Sequence, residues 1–298
     1  MRIRVSAVTD VGRVRSGNED AIAVCVDMER GDWLTDSHFD GGGNRVDPQV
    51  VAIVSDGLGG HNAGEYASAI VIDTFKRQLV PITENASESV RFHEQFSQVI
   101  AAADDRILAD AVEHPDRRGM GATVVACWIA QNQAHVAWCG DSRCYHYSRH
   151  SGLRQITHDH SHVQQLVDNG SIEFEAARNH PESHVITRGC GDLDCACLPD
   201  FADELLQSGD MLLLCSDGLS VCCSDDDINR ILHTHHGDPA LCCKALLQAS
   251  LSAGAPDNVS VIVMECRDDD ITTLTSTGQG WHKLMQHIQS FFTRTNQS

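Results

Sequence analysis

Positive charge is scarce in this chain. Lys and Arg together number 22, against 42 Asp and Glu, for a formal net charge of −20. Nucleic-acid binding needs phosphates neutralised by clustered Lys and Arg, and no dense basic patch is present, so nucleic acid is not an expected partner. Long apolar runs are also missing. None approaches the roughly 20 residues of a membrane helix, and Met1-Arg2-Ile3-Arg4-Val5 carries no apolar signal segment. A cytoplasmic chain with no transmembrane segment is the expectation. The third absence lies in the cysteine pattern. There are 13 cysteines, but Cys195-Ala196-Cys197, Cys222-Cys223 and Cys242-Cys243 lack the two-residue spacer of structural zinc sites. Cys25, Cys127, Cys139 and Cys215 stand in apolar strand-like runs and read as small core residues. The odd total suits a reducing compartment.

What is present is a large core. The 298 residues, 42% of them hydrophobic, suffice for one large domain or two small ones. Strands are expected at 2–9, 21–27, 50–55, 121–130, 134–139, 143–148, 211–215 and 259–266. Helices are expected at 62–80, 90–111, about 225–233 and 239–252, with short turns of helix near 163–167 and 173–177. The stretch 28–48 reads as an exposed loop or inserted hairpin. Ser224-Asp225-Asp226-Asp227 reads as a solvated helix start. Regular strand–helix alternation is lacking, so the class is α+β with antiparallel sheets. Residues 267–279 read as a polar linker. An amphipathic helix follows at 281–292, docking on its own domain, on a partner or on a membrane surface.

Two segments echo each other. Val50-Val51-Ala52-Ile53-Val54-Ser55-Asp56-Gly57-Leu58 and Met211-Leu212-Leu213-Leu214-Cys215-Ser216-Asp217-Gly218-Leu219 are both apolar runs that stop at Ser-Asp-Gly-Leu. Asp20, Asp141 and Asp257 also stand at expected element ends. Clustered carboxylates normally neutralise a cation or share protons, because a lone buried charge is costly. Oxygen-only donors suit Mg²⁺ or Mn²⁺. Gly57 and Gly218 permit a tight turn and close approach of backbone to an ion. A single Asp-Gly is an ordinary turn; two after apolar strands, with Gly140-Asp141, leave ordinary turns and a shared metal site as equal readings.

These pieces resemble the bacterial PPM/PP2C metal-dependent protein phosphatases. The matching segments run in order. They are Thr9-Asp10-Val11-Gly12 with Arg15 and Asn18-Glu19-Asp20, then Asp56 through His61, Gly119-Met120-Gly121-Ala122-Thr123 and Gly140-Asp141-Ser142-Arg143. Thr157 with Asp159-His160-Ser161, Ser216-Asp217-Gly218-Leu219 and Asp257-Asn258-Val259-Ser260 complete the set. The resemblance covers about residues 3–266 and implies a four-layer α-β-β-α sandwich, two antiparallel sheets flanked by helices. It divides the chain into a phosphatase domain, 1–266, and a tail, 267–298.

The resemblance also implies roles. Asp56 would bridge two Mn²⁺ or Mg²⁺ ions and the Gly57 carbonyl would coordinate one. Asp217 and Asp257 would ligate the other, with Glu19 and Asp20 beside them. Asp141 would share a third, weaker ion with Asp217. Arg15 would bind phosphate, as a guanidinium offers two parallel donors to phosphoryl oxygens. Animal members often place His two residues after the bridging Asp; here Leu58 stands there. His61 is then the nearest candidate for general acid, with a metal-bound water as the alternative. Residues 158–190 resemble the bacterial flap, with Ser183-His184 where the family commonly has Arg-Asn. Cys190 and Cys195-Ala196-Cys197 nearby are incidental or redox-responsive.

The expected function is hydrolysis of phosphoserine and phosphothreonine in proteins by a metal-activated water, in a monomer that opposes a Ser/Thr kinase. The alternative is a catalytically weak or inactive regulatory binding protein of the same fold. A phosphocysteine mechanism is excluded. It needs Arg six places after Cys, and Cys139 is followed there by Tyr145 and Cys190 by Ala196.

Overall fold

The computed structural model describes residues 1–40, 49–59, 63–81, 88–178, 180–191 and 196–268. The expected tail helix, His61 and Cys195 lie outside the described residues. In chain order the strands β1 to β8 are Arg2–Asp10, Ala21–Asp27, Asp32–Leu34, His38–Asp40, Gln49–Ser55, Gly57–Leu58, Gly121–Ala122 and Val124–Ala130. Strands β9 to β15 are Gln133–Cys139, Arg143–Ser148, Gly152–Gln155, Cys190–Gly191, Asp200–Leu205, Met211–Cys215 and Val259–Arg267. The helices α1 to α7 are Gly64–Gln78, Glu88–Glu113, His162–Asp168, Phe174–Ala177, Asp217–Ser220, Asp225–Thr234 and Pro239–Ser252.

Two six-stranded sheets, ordered β11-β10-β14-β15-β1-β4 and β13-β9-β8-β5-β2-β3, form the two inner layers. The pairings within them are antiparallel. Strand β5 shows why its apolar run is continuous rather than alternating. Val50, Ala52 and Val54 face the core between the sheets, with Ile22, Leu212, Leu214 and Ile262. Val51 and Ile53 face the other way, toward Val71, Phe75, Phe96 and Ile100 of α1 and α2. A strand buried on both faces has no polar side to show. The other sheet turns Leu213, Val261 and Val263 onto Ile228, Leu232 and Leu246 of α6 and α7. Each such side chain, fully buried, stabilises the fold by roughly 1.5–3 kcal/mol. The α-β-β-α layering agrees with the sequence expectation.

Two helix starts follow directly from sequence. Ser224 caps α6, its Oγ accepting from the Asp227 amide at 3.1 Å in a capping box, so the acidic run is a helix start. Asp238 caps α7 ahead of Pro239. Three details depart from expectation. The run 121–130 is split at Thr123 into β7 and β8. Within 28–48, β3 pairs with β2 and β4 with β1, so this segment crosses from one sheet to the other. Asp200–Leu205 is an unexpected edge strand, paired with β9. Its charges suit an edge, where they discourage further pairing.

Register places the site. Ala21, first in β2, lies opposite Ser55, last in β5, so Asp20 and Asp56 leave one sheet at the same edge. Cys215, last in β14, pairs with Val261, and Asp10, last in β1, with Val259, so Asp217 and Asp257 meet at the corresponding edge of the other sheet.

Candidate metal centre and active site

Asn258 organises the loop that carries the first acidic pair. It is buried, and its Nδ2 donates to the Val11 and Gly17 carbonyls, both at 2.9 Å. Its Oδ1 accepts from the Glu19 amide at 2.8 Å. This one side chain folds 11–19 back onto the start of β15. Arg15 is thereby held against Asp257, at 2.7 Å, with half of its side chain exposed. That hydrogen bond raises the guanidinium above its usual value. Arg15 is a fixed cation at the mouth of the site.

Asp20 is buried. Its Oδ2 accepts from Ser216 Oγ at 2.8 Å and Ser260 Oγ at 2.7 Å. Its other oxygen, Oδ1, is buried with no hydrogen-bond partner among the described residues, and the same holds for Asp217 Oδ1. Burial pushes Asp20 up to about 7 against those serine hydrogen bonds, and Asp217 up to about 6 with repulsion from Asp257 added. Asp56 stands well above the carboxylate range through burial and repulsion from Asp20, Asp217 and Asp141. Asp141 does so through burial and repulsion from Asp217. Glu19 is raised by burial, with Arg15 opposing.

Mutual repulsion and orphaned oxygens together describe a site short of positive charge. All the donors are hard oxygens. That set fits divalent Mn²⁺ or Mg²⁺ and does not fit a soft ion. The structure thus brings Arg15, Glu19, Asp20, Asp56, Gly57, Asp141, Asp217 and Asp257 to one place. His61 is the sequence candidate on which it is silent.

Gly57 and Gly218 each also lie against a second stretch of backbone. A Cβ at Gly57 would lie 2.2 Å from the Gly64 carbonyl oxygen, and one at Gly218 would lie 1.9 Å from that of Asn258. Both glycines admit another stretch of backbone. Gly57 also donates to the Glu19 carbonyl at 3.2 Å. The start of α1 packs there, with Ser68 Oγ donating to the same carbonyl at 2.6 Å.

Ser216, Ser260, Thr123 and Asn258 support the acidic residues, and of these only Ser216 and Asn258 adjoin one in sequence. Arg143 is another supporting group, bound through its Nε and Nη2 to Asp159 at 2.6–3.0 Å. Beside these groups a cavity of about 400 Å³ is lined by Asp141, Asp217, Arg143 and Asp159 and by Ser161 and Ser183 of the flap-like segment. Arg178 closes one wall, donating to the Ser220 carbonyl at 2.7 Å and to that of Cys223.

Known proteins share this arrangement. The family model for protein phosphatase 2C matches residues 28–241. The serine/threonine phosphatase stp of Listeria monocytogenes is 33% identical over 268 residues, covering 86% of this chain and 93% of the relative. The crystal structure of Stp1 from Staphylococcus aureus matches with a TM-score of 0.76 and 30% identity, across 90% of this chain and 96% of that one. The catalytic domain of PstP, solved in complex with two manganese ions, matches with a TM-score of 0.70 and 30% identity, across 89% and 99%.

The chain is thus a metal-dependent phosphatase by class, with an oxygen-donor site at the edge of a β-sandwich. It belongs to the protein phosphatase 2C family, and within it to the protein serine/threonine phosphatases. The family match begins at residue 28. The placing of Arg15, Glu19 and Asp20 therefore rests on the contacts with Asp257, Asn258, Ser216 and Ser260.

Proposed function

We propose that Glu19, Asp20, Asp56, Asp141, Asp217 and Asp257, with the Gly57 carbonyl, hold two Mn²⁺ or Mg²⁺ ions and a weaker third between Asp141 and Asp217. We propose further that the substrates are phosphoserine and phosphothreonine in proteins. The observation that carries this is the pair of buried, unpartnered oxygens on Asp20 and Asp217, set among carboxylates that repel one another. Two divalent cations held there would supply a water nucleophile at neutral pH and neutralise phosphoryl charge.

The chain's own residues do the rest. Arg15, held by Asp257, keeps guanidinium N–H groups free for phosphoryl oxygens and orients the phosphorus toward the carboxylate floor. Ser216 and Ser260 fix Asp20 so that its open oxygen faces one way. The cavity beside Asp141 receives the peptide next to the phosphorylated residue, and the segment bearing Ser161 and Ser183 sets its shape. His61 is our candidate for protonating the leaving alkoxide. An opposing Ser/Thr kinase, a cytoplasmic location and a monomeric state are part of the same reading. No described helix is long and apolar enough to cross a membrane.

The test is phosphate release from a phosphothreonine peptide by metal-free protein, before and after Mn²⁺ or Mg²⁺. Release that requires the ion and falls by roughly 10³-fold in Asp217→Asn is expected. Metal-loaded, folded protein that releases nothing from a broad phosphopeptide panel would instead support the regulatory binding protein.

A further inference from the structure

The carboxylate site uses none of the cysteines, yet three of them meet beside it. Cys139 is the last residue of β9, Cys190 the first of β12, and Cys197 follows the bridge between Arg188 and Ala196. Their sulfurs all lie within 4.8 Å of one another, and those of Cys190 and Cys197 are 3.1 Å apart. Cys139 and Cys190 are fully buried and Cys197 partly so. The positive Arg188 lies near enough to Cys139 to favour its thiolate. The Gly191 amide donates to Asp104 at 2.6 Å and fixes the backbone beside Cys190.

We infer that Cys139, Cys190 and Cys197 form a thiolate site for one soft, thiophilic cation, Zn²⁺ or Cu⁺. Metal–sulfur bonds of about 2.3 Å set sulfurs about 3.8 Å apart around a tetrahedral ion. The three sulfurs already span that separation, and the Cys190–Cys197 pair opens by less than about 1 Å to reach it. A disulfide would instead close that pair to about 2.0 Å, strand the third thiol and require an oxidant. Thiolates select Zn²⁺ and Cu⁺ over Mn²⁺ and Mg²⁺, so the sulfur site and the carboxylate site sort ions by donor type. On binding, each coordinating thiol gives its proton to solvent and no electron changes hands. The Arg188 guanidinium, itself paired with Asp200 at 2.9 Å, lessens the excess negative charge of three thiolates.

Close spacing along the chain does not mark this site, because its ligands come from three segments. The position has a consequence for the active site. Strand β12 pairs with β7, and β7 pairs with β6, which carries Gly57. Strand β9 runs on into Gly140-Asp141. A bound ion therefore staples the chain leaving the flap-like segment to two strands that lead into the carboxylate site.

The inference does not rest on the phosphatase reading, and its test reads metal content. The full chain, reduced and metal-free, is loaded separately with Zn²⁺ and with Cu⁺, each in excess Mn²⁺, then gel-filtered. One equivalent of Zn²⁺ or Cu⁺ retained per chain is expected, and whichever is retained identifies the ion. Co²⁺, used as a spectroscopic probe, should give a thiolate-to-metal charge-transfer band. Cys197→Ser, at the least buried of the three, should weaken retention by roughly tenfold or more while leaving Mn²⁺-dependent activity in place. In the unaltered protein the bound ion should shield Cys197 from alkylation, which tests the site independently of any variant's folding. Retention of neither ion, retention unchanged in Cys197→Ser, or a Cys190–Cys197 disulfide in peptide maps of freshly isolated protein would overturn the inference.

Discussion

The same four residues, Ser-Asp-Gly-Leu, end two strands and then build two different structures. After Asp56 the chain continues extended into β6; after Ser216 it turns into α5, whose first residue is Asp217. At the first corner Ser55 and Asp56 are clamped by Thr123. Its carbonyl accepts from Ser55 Oγ at 2.7 Å, its Oγ1 from the Asp56 amide at 3.1 Å, and its amide donates to the Asp56 carbonyl at 2.8 Å. At the second, Ser216 bonds Ser260 through its backbone and spends its hydroxyl on the Asp20 carboxylate. The tetrapeptide thus sets only where the carboxylate emerges. Neighbouring strands decide the backbone path, and each corner delivers an aspartate to one shared site.

The largest effect should come from the charge that the two corners bring together. Asp20 and Asp217 are held at about 7 and about 6 in the metal-free fold, above the ordinary 3.8. A raised carboxylate binds more protons folded than unfolded, so folded stability falls as pH rises between about 4 and about 8. For Asp217 alone the loss is on the order of 3 kcal/mol. Chelated protein should therefore melt lower at pH 8 than at pH 5.5, and saturating Mn²⁺ should remove most of that difference. Asp217→Asn should flatten the chelated profile. A chelated melting temperature independent of pH would show that the corners do not couple.

Next come the glycines. Alanine at Gly57 presses on the Gly64 carbonyl and alanine at Gly218 on that of Asn258, both at under 3.0 Å. Backbone must shift in each case, at a cost of about 3 kcal/mol. Gly218→Ala should also raise KM, because Asn258 orders the loop that bears Arg15. Gly57→Ala disturbs α1 and the Glu19 carbonyl, and should weaken metal activation more than KM. Thermal melts and steady-state kinetics of the two variants would separate these effects, and identical kinetic signatures would erase the distinction drawn here.

How much of this was legible follows from the same comparison. Strands buried on both faces, such as β5 and β14, announced themselves as apolar runs, and the echo marked their ends. Asp56 and Asp217 could therefore be named from the sequence. The edge strand Asp200–Leu205 could not. Three of its six side chains are acidic, and its place depends on partners such as His135, 2.6 Å from Asp203. The split at Thr123 was hidden because the interruption serves Asp56, which is distant in sequence. Asn258 was visible only as a neighbour of Asp257, for its three side-chain bonds all reach back to 11–19. The cysteine cluster was least legible, since its members share no local pattern. Local periodicity reports burial; it does not report which distant segment a polar side chain must hold.

The smallest effect distinguishes the two serines. Ser216→Ala removes one of the two hydrogen bonds to Asp20 and leaves the buried Ser260 amide, which donates to Ser216 Oγ at 3.0 Å, without a partner. A lost bond to a charged group and an orphaned donor cost about 2 kcal/mol. The freed Asp20 carboxylate should weaken Mn²⁺ activation by roughly tenfold, as loss of a ligand's outer hydrogen bonds commonly does. Ser55→Ala removes a bond to the Thr123 carbonyl alone, costs about 1 kcal/mol, and should leave the Mn²⁺ concentration for half-activation unchanged. Titrating both variants with Mn²⁺ at fixed substrate is sufficient. If Ser55→Ala shifts the metal dependence as far as Ser216→Ala, the first corner also orients a ligand, and the two would be equivalent in function despite their different backbones.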